Sequence, residues 1–424
     1  MTTLKTYQNY KNSGVGWFPN VPSDWKINRG KFYFQNKKSI NSAMNCDNVL
    51  SLTMRGVIHR EELGEGGLLP TSYDTFQIFE KDNLVFKLID LENYRTSRVG
   101  IVPERGIMSS AYIRIEARNS GINPRYFYWQ YFNLYLQGIY NFLGMGVRST
   151  LNYWDLLELP IVIPDEETQK RIATFLDERT KTIDELIAKK EKLIELLREK
   201  RQSLITQVVT RGLDPKAKMK SSGIEWIGDA PKEWNILPFR SLFSERHVPN
   251  TNGIVNNVLS LSYGRIVDRD VESNFGLLPA SFDTYQIIEA GWIIFRLTDL
   301  QNDHKSLRTA LASKRGIITS AYLAVESTKN IRTEYASYLL HAYDLRKVFY
   351  SMGGGIRQSI DYVDLKWMPI LVPPTNEQDA IVGYLDIEVV KIDKATSLIT
   401  QQIQQLKEYR SSLIYSAVTG KTKI

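Results

Sequence analysis

A chain of 424 residues exceeds one ordinary hydrophobic core and predicts two or three domains at roughly 150 residues each. With 43% hydrophobic and 24% charged residues it is not a disordered chain, and one cysteine, Cys46, with four histidines excludes a disulfide framework and argues against a zinc site. Net charge +7 permits an anionic partner, while the lack of any apolar run near the roughly 20 residues of a membrane span, or of a signal peptide in MTTLKTYQNYKNSG, predicts a soluble, cytoplasmic protein.

From the N-terminus, β-branched and aromatic runs at 49–53, 84–89, 107–115 and 159–163 predict strands, punctuated by Gly, Pro, Asn and Asp. Apolar and polar faces alternate over 124–140 with helical spacing. From about Glu167 to Arg211 no Gly or Pro interrupts the chain, and Leu176, Ile183, Lys190, Leu197 and Leu204 fall seven apart. Leu186, Ile187, Leu193 and Ile194 widen that stripe, and Gly212 with Pro215 ends the helix.

The chain then repeats itself. Pro22–Trp25 returns as Pro231–Trp234, and the VLSL starting at Val49 returns at Val258, both 209 residues on. Gly67-Leu-Leu-Pro-Thr-Ser-Tyr-Asp-Thr-Phe-Gln77 returns from Gly276 to Gln286. RGIMSSAY at Arg105 returns as RGIITSAY at Arg315, slipped by one residue, and the register is restored by Gly144 and Gly353. The second long helix carries Leu385, Ile392, Ile399, Leu406 and Leu413. A sustained seven-residue repeat keeps one seam against a partner helix, and one such helix per copy predicts that the two pair with each other. The expected fold is α+β: a tandem duplication of an α/β domain followed by a long helix, the helices forming an antiparallel coiled coil with pseudo-twofold symmetry. Its expected boundaries are a domain over 1–164, a helix over 165–212, a second domain over 213–373 and a second helix over 374–424. Thirty paired residues would span about 45 Å, a length suited to holding two DNA half-sites apart.

Each copy also carries a fixed order of motifs. In the first, Gly144-Met-Gly-Val-Arg-Ser-Thr150 precedes Pro160-Ile-Val-Ile-Pro164 and Gln169-Lys-Arg-Ile-Ala-Thr-Phe-Leu-Asp177. In the second, Gly353-Gly-Gly-Ile-Arg357 precedes Pro369–Pro374 and Glu377-Gln-Asp-Ala-Ile-Val-Gly-Tyr-Leu-Asp386. With the Pro-x-x-Trp entry segments, the chain resembles a type I restriction–modification specificity subunit along its whole length. The first copy departs from the family's adjacent Glu-Gln, reading Glu167-Thr168-Gln169, which touches only the helix-start contacts. The resemblance implies a non-catalytic subunit with two target recognition domains, each reading half of an interrupted double-stranded DNA site. It also implies two adenine methyltransferase subunits docked on the helices, and restriction/translocase subunits joined to that core.

Motifs that suggest chemistry do not persist. Phe142-Leu-Gly-Met-Gly146 matches the F-x-G-x-G of methyltransferases, but its counterpart begins at Ser351, and no Asn/Asp-Pro-Pro-aromatic motif exists to hold an adenine. Gly420-Lys-Thr422 lacks the first glycine and the following helix of a phosphate loop. Pro164-Asp165 is aligned with Pro373-Pro374 and fits a helix start better than a nuclease site. No catalytic residue, metal or cofactor is therefore expected. The alternatives are a coiled-coil adaptor with two protein-binding modules and a standalone methyltransferase.

Residues 1–164 hold 18 basic and 14 acidic side chains, and 213–373 hold 19 and 17, whereas the helical segments are nearly neutral. That modest excess predicts weak counterion release, so partners should supply much of the phosphate grip. Kept cations are candidates for phosphate or shared contacts: Lys87 with Arg296, Arg105 with Arg315, and Arg148 with Arg357, the arginine at 148 preceding a short helix whose start is read at Thr150. Differing loops are candidates for base readout: Arg55, in the stretch 54–59, against Tyr263 and Arg265, in 263–268; and Asn93 and Arg95 against Gln301 and Asn302. Arg suits guanine and Asn or Gln suits adenine in the major groove. Near-identical domains arranged head to head predict a nearly palindromic target.

Overall fold

The computed structural model describes all residues except 1–4, 64–71, 94–97, 145–149, 270–281, 304–305 and 353–358. The chain divides into two compact units. Unit 1 comprises Met1–Glu191 with Gln401–Ile424, and unit 2 comprises Lys192–Thr400.

In unit 1 the central sheet has four antiparallel strands in the order Phe34–Gln35, Ile113–Ala117, Leu84–Phe86, Val99–Ile101. Unit 2 repeats the order with Phe243–Arg246, Leu323–Ser327, Ile293–Phe295 and Thr309–Leu311. A hairpin, Leu50–Thr53 with Gly56–His59, recurs as Leu259–Ser262 with Arg265–Asp268. The run at 107–115 is two strands, Gly106–Met108 and Ile113–Ala117, because the turn at Ser109–Tyr112 intervenes. Gly106 is required by close approach: a Cβ there would lie 2.6 Å from Leu50 of the hairpin, and at Gly316 one would lie 2.4 Å from Leu259.

Helix α1 (Pro124–Leu136) begins with Pro at its first position and Asn123 as cap, whose side chain accepts from the Arg125 and Tyr126 amides. The single helix read over 124–140 breaks at Gly138, whose φ of 69° belongs to the left-handed region, and resumes as α2 (Ile139–Leu143). Phe34, Phe86, Phe127, Tyr131 and Tyr140 meet edge to face beneath the sheet. Helix α3 (Tyr153–Glu158) starts with a capping box of Asn152 and Asp155, not at Thr150, because Asn152 supplies the acceptor for the exposed amides. Unit 2 has α5 (Thr333–Leu345) and α6 (Tyr362–Leu365), the latter with the same box made by Asp361 and Asp364.

The long helices are α4 (Glu166–Arg211) and α7 (Thr375–Val418), and each contributes to both units. Within unit 1 they run antiparallel: Lys190 meets Gln402, and Asp184 meets Arg410 at 2.8 Å. Within unit 2 Arg201 meets Asp393 at 3.0 Å. These two ion pairs are the same pair in the two copies, 209 residues apart, and each fixes the antiparallel register within its own unit. Buried seam positions in unit 1 are Leu176, Thr180, Ile183 and Ile187, three and four apart as a heptad demands. Leu186 and Leu193, read as widening the stripe, are 42% and 44% exposed.

Each unit is closed by the far end of the other copy's helix. The Tyr126 hydroxyl lies 3.2 Å from the Val162 carbonyl and 3.3 Å from that of Val418, and Tyr335 stands in the same relation to Leu371 and Val209, at 3.1 and 3.2 Å. Ile205, Val208 and Val209 of α4 join a continuous core with Trp234, Phe239, Tyr335, Leu339, Ile381 and Leu385. Tyr126 is fully enclosed, and burial pushes its phenol well above the ordinary range.

Candidate nucleic-acid interface

The helix-start motif serves as a bracket. Gln169 and Gln378 are equivalent: the Gln169 side chain accepts from the Asn123 amide at 2.9 Å and donates to the Pro164 carbonyl at 2.9 Å. Gln378 does the same with the Arg332 amide, at 2.7 Å, and Pro373. The glutamine is thus in register in both copies, and the departure of the first copy is Thr168 in place of Glu377.

In each unit three segments converge at one end of the central sheet. The first is the hairpin tip. Arg55 is exposed there, and the neighbouring Met54 lies 3.7 Å from the Tyr135 hydroxyl of α1. In unit 2 the tip Gly264 lies against Leu307. Tyr263 is 85% exposed with φ of 48°, whereas Arg265 ion-pairs with Asp393 of α7 at 3.0 Å. The second segment follows Leu84–Phe86 and Ile293–Phe295. Asp90 and Asp299 adopt left-handed conformations, φ 54° and 56°, and open turns carrying Asn93, Gln301 and Asn302, all exposed. Asn302 donates to Asp299 at 2.7 Å. The third follows α2 and its counterpart: Gly144 packs on Leu91, and the Leu151 amide donates to the Leu88 carbonyl at 2.9 Å. Arg95, Arg148 and Arg357 lie outside the described residues.

Lys87 and Arg296 stand where strand becomes turn, each amide bonded to the carbonyl of Arg98 or Arg308. Arg296 approaches Asp303 at 3.8 Å. Arg105 and Arg315 have a second duty. They pair with Glu80 at 3.6 Å and Glu289 at 3.2 Å, and their carbonyls receive the Asn48 and Asn257 side chains at 2.8 and 3.2 Å. These arginines, still 55% and 57% exposed, therefore anchor the hairpin base as well as offering charge.

The sequence reading missed two arginine pairs. Arg60 and Arg269 close the hairpin through equivalent amide bonds, to Val49 and Val258, both at 2.9 Å. Arg98 and Arg308 are almost wholly buried, 1% and 0% exposed, directly beneath the turns. The kept spacing of 209 would have exposed the first pair, but Arg98 and Arg308 are 210 apart and hide in the one-residue slip.

The comparisons with known proteins agree with this organisation. A family model described as "Type I restriction modification DNA specificity domain" matches residues 25–196. A putative type I restriction enzyme MjaX specificity subunit of Methanocaldococcus jannaschii is 21% identical over 449 residues, covering 98% of this chain and 97% of that protein. The chain is similar to type I restriction–modification specificity subunits. The MjaVIII specificity subunit of the same organism is 23% identical over 229 residues, 52% of this chain and half of that protein. In fold the chain is similar to one solved in work on complex assembly and conformational transition of the type I system, with TM-score 0.69, 13% identity and coverage of 95% and 99%. It is also similar to the HsdS subunit of Thermoanaerobacter tengcongensis, with TM-score 0.50, 13% identity and coverage of 95% and 98%. The matched model is described by DNA specificity, and both relatives are described as specificity subunits.

Proposed function

We propose that each unit reads one half of a bipartite, interrupted DNA target, and that the converging segments form the reading edge. The observation that carries this is their convergence in both units on equivalent frames. Asn93, Gln301 and Asn302 are suited to adenine edges, while Arg55, Arg95 and Tyr263 offer guanine contacts or stacking. Arg148 and Arg357 supply phosphate or guanine contacts, and Lys87, Arg296, Arg105 and Arg315 supply positive potential around the edge. Arg265 reads DNA only on leaving Asp393, which makes it the weakest reader of the set. The similarity of the units favours a nearly palindromic target.

Two adenine methyltransferase subunits dock on the helices in this reading, restriction/translocase subunits join them, and the complex works in the cytoplasm. The division between domain and helix at 164, 212 and 373 describes these roles, although each compact unit also includes helix from the other copy.

The test is selection from a randomised duplex pool by the full chain, alone and assembled with a methyltransferase partner. The expected result is two related, inverted half-sites, with binding strengthened strongly by the partner. Two unrelated half-sites would remove the palindrome, and no preference in either state would favour the adaptor reading. Lengthening both helices by one heptad, about 10 Å, should widen the spacer and leave both half-sites intact.

A further inference from the structure

The turns that carry Asn93, Gln301 and Asn302 are held from below chiefly through their backbone carbonyls, with Arg308 also 3.9 Å from the Asp303 carboxylate. The Arg98 guanidinium donates to four carbonyls: Lys87 at 3.2 Å, Ile89 at 2.5 Å, Asp90 at 2.6 Å and Asn93 at 2.7 Å. Arg308 repeats this with Thr298 at 3.1 Å, Asp299 at 3.4 Å and Asp303. Its Nε donates to the Tyr350 hydroxyl at 3.0 Å. A second clamp comes from equivalent positions just after the first helix of each unit. Asn141 donates to the Leu91 carbonyl, and Tyr350 donates to that of Asp303 at 2.9 Å.

The partners reveal where the copies diverge. Asp90 and Asp299 are 209 apart, but the captured carbonyls of Asn93 and Asp303 are 210 apart, as are the arginines. The extra residue of the second copy therefore lies inside the turn, between fixed ends. Backbone carbonyls are present whatever the side chain, so an arginine that grips carbonyls tolerates changes of sequence and of length in what it grips. A planar fork with five donors does this; a lysine ammonium with three donors on a flexible stem cannot span the same set.

We infer that Arg98 and Arg308, aided by Asn141 and Tyr350, are positioning residues for specificity: each holds one readout turn chiefly by its backbone, so that the turn keeps its place when its residues differ between the units. This rests on the proposal that the turns meet DNA. It extends that proposal by naming buried residues, remote from any base, that control half-site choice one unit at a time.

The experiment uses the full chain assembled with a methyltransferase partner, comparing R98K, R308K, N93A and the milder Y350F. Y350F removes one hydroxyl and keeps the ring, so it reports on the clamp even where an arginine variant fails to fold. Amide exchange at 90–93 is expected to rise at least tenfold in R98K and to stay unchanged at 299–303, with the converse in R308K and, to a smaller degree, Y350F. Selected duplexes should lose roughly tenfold discrimination at one half-site only, the same one for R98K as for N93A and the other for R308K and Y350F. A merely structural role predicts equal loss at both half-sites in step with the melting temperature, and that result overturns the inference. So does faster exchange in R98K with unchanged half-site preference while N93A alters it, which leaves DNA reading by the turn standing. If N93A and the clamp variants all leave preference unchanged, the turns do not read DNA and both ideas fall.

Discussion

Replacing Glu377 by Thr turns unit 2 into a copy of unit 1 at one hydrogen bond. The Trp234 indole, 1% exposed, donates to the Glu377 carboxylate at 2.8 Å. At the equivalent place Trp25 is equally buried, but the residue is Thr168, whose amide and hydroxyl are both taken by Asp165 at 2.9 and 2.7 Å, and the Trp25 indole N–H has no partner. A hydrogen bond to a charged group contributes about 1.5–3 kcal/mol, and its loss leaves a buried donor unsatisfied. For a unit of this size each kcal/mol moves the melting temperature by about 2–4 °C, so E377T should lower it by about 4–8 °C. E377Q keeps an acceptor oxygen and should lose less than half as much. T168E should gain under about 1 kcal/mol, because Asp165 repels the new carboxylate as the indole attracts it. Thermal unfolding followed by calorimetry and tryptophan fluorescence measures all three. An E377T protein that melts within about 1 °C of the parent would refute the reasoning, since a buried donor would then cost nothing to orphan.

Three further outcomes are expected. Burial, with Arg201 nearby, holds the His341 pKa down to about 4, and burial pushes Asp344 up to about 6, so His341 makes unit 2 more stable as pH rises through 4 to 6.5 while Asp344 makes it less stable between about 4 and 6. H341F, which installs the Phe132 of the first copy, should leave stability falling from pH 4 to 6, and a denaturation series with the parent's slope would contradict this. Gly291 has φ of 89° with no atom within 4 Å of a new Cβ, and its counterpart Asp82 adopts 65°, so G291A should cost about 1 kcal/mol and D82G should gain a few tenths; equal urea midpoints for G291A and parent would sink it. A double-mutant cycle on Arg410 and Asp184 should give a coupling of about 0.5–1 kcal/mol that shrinks with added salt, and the equivalent Arg201–Asp393 pair should match it; additive single effects would show that neither pair sets helix register.

The duplication, the long helices and their seam are legible in the sequence because each is a periodicity of side chains. What stays hidden is whatever the backbone supplies. Arg98 and Arg308 grip carbonyls, which leave no mark on sequence, and the slip of one residue separates them in a comparison at the offset of 209. The dual duty of Arg105 and Arg315 is equally hidden, since Glu80 and Glu289 become neighbours only through strand pairing.

A subtler failure lies in treating differences between the copies as readout. His59 and Asp268 differ, and both belong to the hairpin stretches singled out for that reason. Yet His59 contacts Glu104 at 2.8 Å, and Asp268 contacts Lys314 at 2.6 Å, at equivalent positions joining the hairpin to the turn before Arg105 and Arg315. The two copies keep the contact and reverse its polarity. Two changed residues that face one another across a frame compensate each other and carry no information to a partner, whereas a changed residue with no changed counterpart in contact can. By that criterion the hairpin's last residue is scaffold. Tyr263, 85% exposed at the hairpin tip, where the first copy has Met54, meets that criterion and stays a candidate reader.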